Sequence, residues 1–210
     1  MGESANYLLN GKIYPGKVNE DNYLSTGVNI YEVFRIIDYI PLFLDDHLDR
    51  LDYSLQKCSI CPGIRRKTLK KDIFKRIKKN DPEHRNIKLI FHSDEKENKH
   101  FITAFPIPYN YPDPDDYKRG VKTTFLRAER ENPNIKNWRG EFRKKVAKLK
   151  KENNIYEVIL IHSDGFITEG SQSNIFIIKN NQVITAPASM VLKGITRKYI
   201  LDICNTLQFE

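Results

Sequence analysis

The residues best suited to chemistry lie in the second half of the chain, between two predicted hydrophobic strands. There the sequence Glu-Gly-Ser-Gln-Ser-Asn at 169–174 places one carboxylate beside a run of small polar side chains. Such groups can hold a ligand by charge and by hydrogen bonds. Taken alone, Glu169 is equally well explained as an ordinary acid near a turn, such as the one predicted at Asp164 and Gly165.

A second candidate is an anion-binding site further along the chain. The residues Leu-Lys-Gly-Ile-Thr-Arg at 192–197 open a predicted helix behind a glycine. The backbone amides of Gly194, Ile195 and Thr196 would lie at the N-terminus of this helix, where the helix dipole favours an anion. An ordinary helix cap explains the same residues, so both interpretations stay open on this pattern alone.

The cysteines offer a third candidate, because Cys58 and Cys61 have the CxxC spacing of redox pairs and zinc sites. The pair lies at the end of a predicted helix, where the dipole disfavours a thiolate. Neither a second CxxC pair nor an HxxxH pair accompanies it, so no metal is expected. We predict two buried cysteines that pack as small hydrophobic side chains.

The first half of the chain alternates strands and amphipathic helices. Asn10-Gly11 between apolar residues is a strong signal for a tight hairpin. Acidic residues at 45 and 46 are suited to the start of a helix. The predicted elements of this half are a hairpin at 7–14, strands at 30–37, 40–44, 87–92 and 101–107, and helices at about 47–57 and 65–80.

Four prolines between positions 106 and 114 predict a semi-rigid connector. We therefore expect a small N-terminal domain at 1–106, a linker at 107–119 and a larger C-terminal domain at 120–210. Strands and helices are mixed in both parts, which predicts an α+β fold. The elements expected after the linker are strands at 121–127, 156–162, 174–178 and 183–186, and helices at 138–153 and after position 194.

Composition excludes several classes of protein. Of the 210 residues 40% are hydrophobic and 30% charged, which excludes wholesale disorder. No apolar run reaches the roughly 18 residues of a membrane span. The N-terminus lacks the basic start and apolar segment of a secretory signal. Three cysteines cannot all pair with one another, so we expect a reducing, cytoplasmic location.

The net charge of +8 raises the question of nucleic-acid binding. The basic residues cluster at 65–79 and 139–151, where apolar residues recur at helical spacing. Both segments therefore look like amphipathic helices with solvated, lysine-rich outer faces. Aromatic interleaving and a recognition-helix pattern are both missing from the sequence, so a nucleic-acid partner is not expected.

Three ordered blocks of sequence resemble the class IV, or fold-type IV, family of pyridoxal-phosphate enzymes. This family includes branched-chain aminotransferases, D-amino acid aminotransferases and aminodeoxychorismate lyases. The resemblance covers nearly the whole chain and implies a two-domain α+β fold and the cofactor pyridoxal 5'-phosphate. The blocks are Tyr-Glu-Val-Phe-Arg-Ile at 31–36 with 41–51 after it, the segment 156–176, and Leu-Lys-Gly-Ile-Thr-Arg at 192–197.

The resemblance also assigns roles to single residues. Lys136 matches the lysine that forms a Schiff base with the cofactor and later moves a proton. Glu169 matches the carboxylate that faces the pyridine nitrogen, and Arg50 matches a ligand of the phosphate. Tyr31 corresponds to a residue on the substrate side. The full set of expected cofactor contacts is Arg50, Glu169, Ser173, Asn174, Gly194, Ile195 and Thr196.

Some residues depart from the family pattern or have another explanation. Arg50 could instead point outward from its helix and pair with Asp46, and Glu169 could be an acid at the end of a strand. The residues at 137–142 lack the tyrosine that many members carry after the lysine. Residues 91–94 lack the arginine of the D-amino acid enzymes. Family members continue past the last helix, so we expect a shortened C-terminal domain.

These observations together predict an enzyme. The expected reaction is transfer of an amino group from a branched-chain or related amino acid to 2-oxoglutarate. The expected partners are small amino acids and 2-oxo acids, and the resemblance implies a homodimer. Within the family, the alternative is aminodeoxychorismate lyase, which eliminates pyruvate in folate synthesis. Alternatives from other classes are an inactive paralogue of the same fold and a basic nucleic-acid-binding protein.

Overall fold

The computed structural model describes residues 6–20, 27–61, 63–80, 84–94, 96, 99–108, 111–130, 132–138 and 140–209. Contacts divide the chain into two compact units. Unit 1 comprises Met1–Asn110 together with Ile135–Trp138, and unit 2 comprises Tyr111–Asn134 and Arg139–Glu210. Helices and strands are mixed in both units, which confirms the predicted α+β class.

Unit 1 is built on one six-stranded antiparallel sheet. Strands β3 and β5 pair over ten residues and form its centre, together with β6. The strand order is β2-β1-β6-β5-β3-β4. The strands are β1 Asn6–Leu9, β2 Lys12–Pro15, β3 Val28–Ile37, β4 Ile40–Pro41, β5 His84–Asp94 and β6 Lys99–Ile107.

The predicted hairpin at the start of the chain is confirmed. Asn10 and Gly11 separate β1 from β2, with φ values of 47° and 81°. Two consecutive left-handed residues give the primed turn that matches the twist of antiparallel strands. Glycine tolerates this conformation without steric cost, and asparagine tolerates it better than most residues.

Two helices of unit 1, α1 Leu44–Lys57 and α2 Arg66–Asn80, pack with one face of the sheet. Side chains alternate along β3, so Ile30, Phe34 and Ile36 lie in the core shared with these helices. Tyr31 and Val33 belong to a second apolar cluster, with residues of β5 and β6. The strand therefore separates a helix-covered core from a face lined by aromatic residues.

The predicted strand at 40–44 is shorter than expected. Only Ile40 and Pro41 pair with β3, across the tight turn at Asp38 and Tyr39. Phe43 then adopts a left-handed conformation with φ 51°, and α1 begins at Leu44 instead of position 47. The apolar residues of 44–55 recur at helical spacing and are buried, so their burial favours the helix over a longer strand.

Unit 2 contains a three-stranded sheet and a separate hairpin. Strands β7 and β8 are parallel and are joined through a helix, as a parallel pair requires. Val146, Ile155, Val158 and Leu160 form the core between that helix and the sheet. The elements are α3 Pro114–Arg119, β7 Thr123–Arg127, α4 Gly140–Asn153, β8 Glu157–Ile161, β9 Ile167–Gly170, β10 Ile177–Lys179, β11 Gln182–Ile184 and α5 Ile195–Thr206.

The predicted semi-rigid linker at 107–119 includes a short helix. Its second half is the short helix α3, because Asp113 and Asp116 form a reciprocal capping box and Pro114 occupies the first turn. Residues 109 and 110 lie outside the described residues. The boundaries 1–106 and 120–210 stay a prediction.

The short segment 135–138 belongs to unit 1, although the sequence interpretation gives it to the C-terminal domain. The Tyr31 amide donates to the Lys136 carbonyl at 3.0 Å, and the Trp138 amide donates to the Asn29 carbonyl at 2.8 Å. An antiparallel bridge joins Ile30 to Asn137. Because these backbone bonds join the segment to β3, it belongs to unit 1 although it follows residues of unit 2 in the sequence.

The prediction that both cysteines are buried is wrong, since Cys58 is half-buried and Cys61 is exposed. Cys58 follows the last turn of α1 and packs against the core, and burial raises the pKa of its thiol. Cys61 is exposed, because it lies beyond the helix in an irregular segment. Within the described residues, no helix is both long and apolar enough to cross a membrane.

The packing of Phe34 yields a stability prediction. Phe34 is 1% exposed, whereas Phe74 on the outer side of α2 is 37% exposed. We expect Phe34→Ala to lower the free energy of unfolding by about 3–5 kcal/mol, because it leaves a cavity. Phe74→Ala, the matched control, should cost less than about 1 kcal/mol. Urea denaturation measures both, and equal losses would contradict the assignment of Phe34 to the core.

Candidate active site

In unit 1, Lys136 lies beside the aromatic face of the sheet. Its backbone is bound to β3, and its Nζ atom is 5.1 Å from the centroid of the Tyr31 ring. Its amide nitrogen is 3.4 Å from the hydroxyl oxygen of Ser54 on α1. The side chain is half-buried. The structure thus brings together Lys136 and Tyr31, two of the predicted site residues.

Two further residues complete the surroundings of Tyr31. The Trp138 ring packs edge-on at 5.5 Å between centroids. The Nζ atom of Lys88 lies 3.6 Å from the Trp138 ring centroid and 5.6 Å from that of Tyr31. Lys88 also forms an ion pair with Glu20. Lys136 therefore belongs to a cluster of lysine and aromatic side chains in which cation–π attraction fixes the rings.

Arg50 is held by a buried carboxylate that the sequence interpretation missed. Its Nε donates to Glu32 Oε1 at 2.8 Å, and its Nη2 donates to Glu32 Oε2 at 2.6 Å. His47 Nδ1 lies 2.8 Å from the same Oε2 atom. Glu32 is fully buried in β3, on the side that faces α1. The alternative of an outward-pointing Arg50 is wrong, since the Arg50 side chain is 9% exposed.

Opposing effects act on the ionisation of Glu32. Burial alone would raise the pKa of this carboxyl group. Hydrogen bonds from Arg50 and His47, with the charges of Arg50 and Lys136, outweigh burial and lower the pKa to about 2. Glu32 is therefore ionised at neutral pH. A charged residue within the apolar run 28–37, at a position that alternation places toward the helix, is the sequence signal for this pair.

In unit 2, the carboxylate of Glu169 is fixed on both oxygens. Arg130 pairs with Oε1, while Oε2 accepts from the Leu192 amide at 3.1 Å and lies 3.4 Å from Asn174 Nδ2. Glu169 is 3% exposed and lies in β9. An ordinary surface acid at the end of a strand would be more exposed and would have fewer partners. Arg130, which the sequence interpretation also missed, lies 39 positions before its partner.

Asn174 connects Glu169 to the start of α5. Its Nδ2 donates to the Leu192 carbonyl at 3.0 Å, so the amide bridges the strand end and the segment before the helix. A Cβ atom at position 194 would lie 2.0 Å from Asn174 Oδ1, a distance that only glycine avoids. Gly194 is the N-cap of α5 and offers no side chain to its first amides, those of Ile195 and Thr196.

The hydroxyl of Ser173 is directed to a different carboxylate. Ser173 Oγ donates to Glu157 Oε2 at 2.9 Å, and Ser171 Oγ donates to Glu157 Oε1 at 2.6 Å. Lys150 Nζ lies 3.1 Å from Oε1. Burial would raise the pKa of Glu157, but these hydrogen bonds and the lysine lower it. Glu157 thereby fixes the 170–174 turn, and Ser173 retains only acceptor capacity for a ligand.

The residues present match the chemical groups of pyridoxal phosphate. An aldehyde requires a primary amine, which Lys136 carries beside Tyr31. A pyridine nitrogen requires a fixed acid, and Glu169 is buried and anchored by a backbone amide. A phosphate requires cations and amides, which Arg50 and the N-terminus of α5 offer. Each unit therefore carries side chains or amides of the kinds that this cofactor requires.

Comparisons with known proteins identify the family. The sequence model of the family described as amino-transferase class IV matches residues 29–210. The chain belongs to the class IV aminotransferases. This match confirms the resemblance noted in the sequence and, with it, the expectation of an enzyme of a family that depends on pyridoxal phosphate.

Individual relatives of this class IV aminotransferase carry different names. It is 27% identical over 208 residues to D-alanine aminotransferase of Bacillus licheniformis, covering 91% of this chain and 71% of the relative. It is 25% identical over 201 residues to aminodeoxychorismate lyase of Bacillus subtilis, covering 88% and 67%. The names thus span two reaction types.

The fold of this class IV aminotransferase also matches solved structures. The structure of Escherichia coli branched-chain amino acid aminotransferase has a TM-score of 0.84 at 20% identity, covering 99% of this chain and 76% of that one. Other matching structures hold pyridoxamine 5'-phosphate or N-(5'-phosphopyridoxyl)-L-glutamate. The likeness confirms the predicted fold.

The pKa of Glu32 yields a pH prediction. A carboxyl group with a lowered pKa stabilises the fold above its unfolded value of about 4.5, and this stabilisation is lost as the pH falls toward about 2. We expect Glu32→Gln to lower the free energy of unfolding by about 3–5 kcal/mol at pH 7, because it leaves Arg50 unbalanced in the core.

Denaturation at several pH values measures the difference between wild type and Glu32→Gln. The difference should be constant above about pH 5 and should shrink between about pH 4.5 and pH 2. Glu141→Gln on α4, where the side chain is 91% exposed, is the control and should differ little from wild type. A difference that is independent of pH down to pH 2 would contradict an ionised Glu32.

Proposed function

We propose that this class IV aminotransferase transfers the amino group of a branched-chain or related amino acid to 2-oxoglutarate with pyridoxal phosphate. The observation that carries the proposal is the anchored, buried carboxylate of Glu169 within the residues matched by the family. Such a carboxylate can hold a pyridine nitrogen protonated, which is the principal electronic contribution that a protein makes to this cofactor. Bound at this site, the cofactor supplies an aldehyde and an electron-withdrawing ring.

Lys136 is the proposed catalytic residue. Its primary amine can hold the cofactor covalently and, once a substrate amine has replaced it, can carry a proton from the substrate α-carbon. The hydrogen bond from the Tyr31 amide to the Lys136 carbonyl fixes the base of the side chain at 3.0 Å. The adjacent Tyr31 ring limits the positions that the ammonium group can take, so the amine is oriented but can still move.

Glu169 is proposed to act on the ring nitrogen. The Leu192 amide and Asn174 hold one of its oxygens, which leaves the orientation of the carboxylate determined by the backbone. Arg130 forms an ion pair with the other oxygen. A carboxylate fixed in this way requires no rearrangement as charge develops on a bound ring.

Phosphate binding is proposed for Arg50 and the start of α5. Gly194 leaves the amides of Ile195 and Thr196 without a side-chain cap, and helix amides with the helix dipole attract a dianion. Asn174 holds the peptide before Gly194 in place, and Ser173 can accept but not donate while it binds Glu157. Tyr31 is proposed to line the substrate side.

The preference for branched-chain donors is supported by the names of similar structures, such as that of the Escherichia coli enzyme. The absence of arginine from residues 91–94 argues against the D-amino acid type at this position. A lyase reaction is the second candidate, because a relative named aminodeoxychorismate lyase matches 88% of the chain. A homodimer in the cytoplasm also belongs to the proposal.

The role of Lys136 is tested by chemical trapping. Borohydride reduction of the protein supplied with pyridoxal phosphate should attach a pyridoxyl group to Lys136, because reduction makes the amine linkage permanent. Lys136→Ala should lose this label and at least about 10³-fold in kcat. Peptide mass spectrometry locates the label. Lys144→Ala, on an exposed lysine, is the control and should keep both.

The role of Glu169 is tested by Glu169→Gln. The substitution preserves size and hydrogen bonding but removes the charge, so we expect kcat to fall about 10²–10³-fold. Labelling of Lys136 should persist, since the amine is unchanged. Steady-state kinetics measure the loss, and a kcat within threefold of wild type would refute the electronic role.

A donor panel tests the reaction type. With 2-oxoglutarate present, L-valine, L-leucine and L-isoleucine should each yield the corresponding 2-oxo acid, and glutamate should accumulate in equal amount. Omission of 2-oxoglutarate should stop the reaction after one turnover. Release of pyruvate from aminodeoxychorismate without an acceptor would instead favour the lyase, and preference for D-alanine would overturn the branched-chain assignment.

A further inference from the structure

Glu32 binds the guanidinium group of Arg50 through two hydrogen bonds. Nε and Nη2 each donate to a different oxygen of that carboxylate, at 2.8 and 2.6 Å. Two parallel bonds between planar groups fix both the position and the plane of a guanidinium.

Glu32 is itself held firmly. It lies within β3, is fully buried, and is contacted by His47 as well as by Arg50. His47 and Arg50 are three positions apart on α1 and therefore lie on the same helix face. Ser54 Oγ also donates to the Arg50 carbonyl at 2.8 Å. The carboxylate thus joins strand and helix through two side chains, and an exposed arginine would have no comparable restraint.

The local charges leave this cluster suited to an anion. The charges of Arg50 and Lys136 both act on Glu32 and lower its pKa, so two cationic side chains lie near this one carboxylate. Because the long Arg50 side chain is already ordered, an incoming anion does not bear the entropy cost of ordering it.

We propose that Glu32 is a positioning residue that presents Arg50 to the phosphate of the cofactor. The inference rests on the proposed function, in which Arg50 binds a phosphate monoester. It adds a specific consequence: Glu32 governs affinity for the phosphate group and has no part in binding the pyridine ring or the aldehyde.

Binding of pyridoxal phosphate is compared with binding of pyridoxal, which lacks the phosphate. The full-length protein is stripped of cofactor and titrated with each ligand, and absorbance measures the dissociation constants. Glu32→Gln should weaken pyridoxal phosphate about 10- to 100-fold, the scale of hydrogen bonds to a charged group. The dissociation constant for pyridoxal should change by less than twofold.

His47→Gln is the matched control. It removes a contact to the same buried carboxylate but leaves both bonds between Glu32 and Arg50. It should lower stability without altering the ratio of the two dissociation constants. Glu32→Asp retains the charge but is one methylene shorter, so it cannot reach both nitrogens. It provides the test if Glu32→Gln does not fold, and it should also lose selectivity for the phosphorylated ligand.

The outcomes separate this inference from the function on which it rests. Equal weakening of both ligands by a folded Glu32 variant, or no weakening of either, would overturn the positioning role. Arg50→Lys should lose the same selectivity, and adding Glu32→Gln to it should cause little further loss. If Arg50→Lys keeps full selectivity, phosphate binding by Arg50 fails as well. If wild type binds neither ligand, the proposed function itself fails.

Discussion

The register of β3 is the constraint on which unit 1 depends. Ten consecutive residues of this strand pair with β5, and a shift by one residue would exchange its two faces. Glu32 would then leave the helix side and lose Arg50, while Tyr31 would leave the aromatic face. The same strand also accepts and donates the backbone bonds that place residues 135–138. A single strand register therefore fixes the positions of Arg50, Tyr31 and Lys136.

In unit 2, backbone groups help to fix the position of a buried carboxylate. The carboxylate of Glu169 is bound by the Leu192 amide, and Asn174 spans the same two segments. The short approach between Asn174 and Gly194 allows the start of α5 to lie close to the strand end. Geometry of this kind depends on main-chain positions more than on flexible side chains, so the acid and the helix N-terminus stay in fixed relation.

Local signals allowed much of the fold to be predicted from sequence. The Asn10-Gly11 pair predicts the tight turn of the first hairpin, and the helical spacing of apolar residues predicts α1, α2 and α4. Predictions failed where distant contacts decide. The run at 40–44 is apolar enough for a strand, yet burial of Leu44 extends the helix. In the linker, by contrast, the missed signal is local: Asp113 and Asp116 form a capping box within the proline-rich segment.

The candidate site was predictable only in part, for a related reason. Glu169 and Lys136 stand out through the resemblance of their flanking blocks to a family. Glu32, Arg130 and Glu157 act through partners 18, 39 and up to 16 positions away, and spacing along the chain does not reveal such pairs. A charged residue at a helix-facing position of an apolar strand is the signal that could have revealed Glu32.

The assignment of Ile135–Trp138 to unit 1 has a consequence for dissecting the chain. Unit 1 is discontinuous in sequence, because it includes these four residues although residues 111–134 before them belong to unit 2. A fragment that stops in the connector would leave the amide of Tyr31 and the carbonyl of Asn29 without their strand partners. Autonomous expression of that half would therefore call for a graft that restores the missing tetrapeptide in trans or by circular permutation.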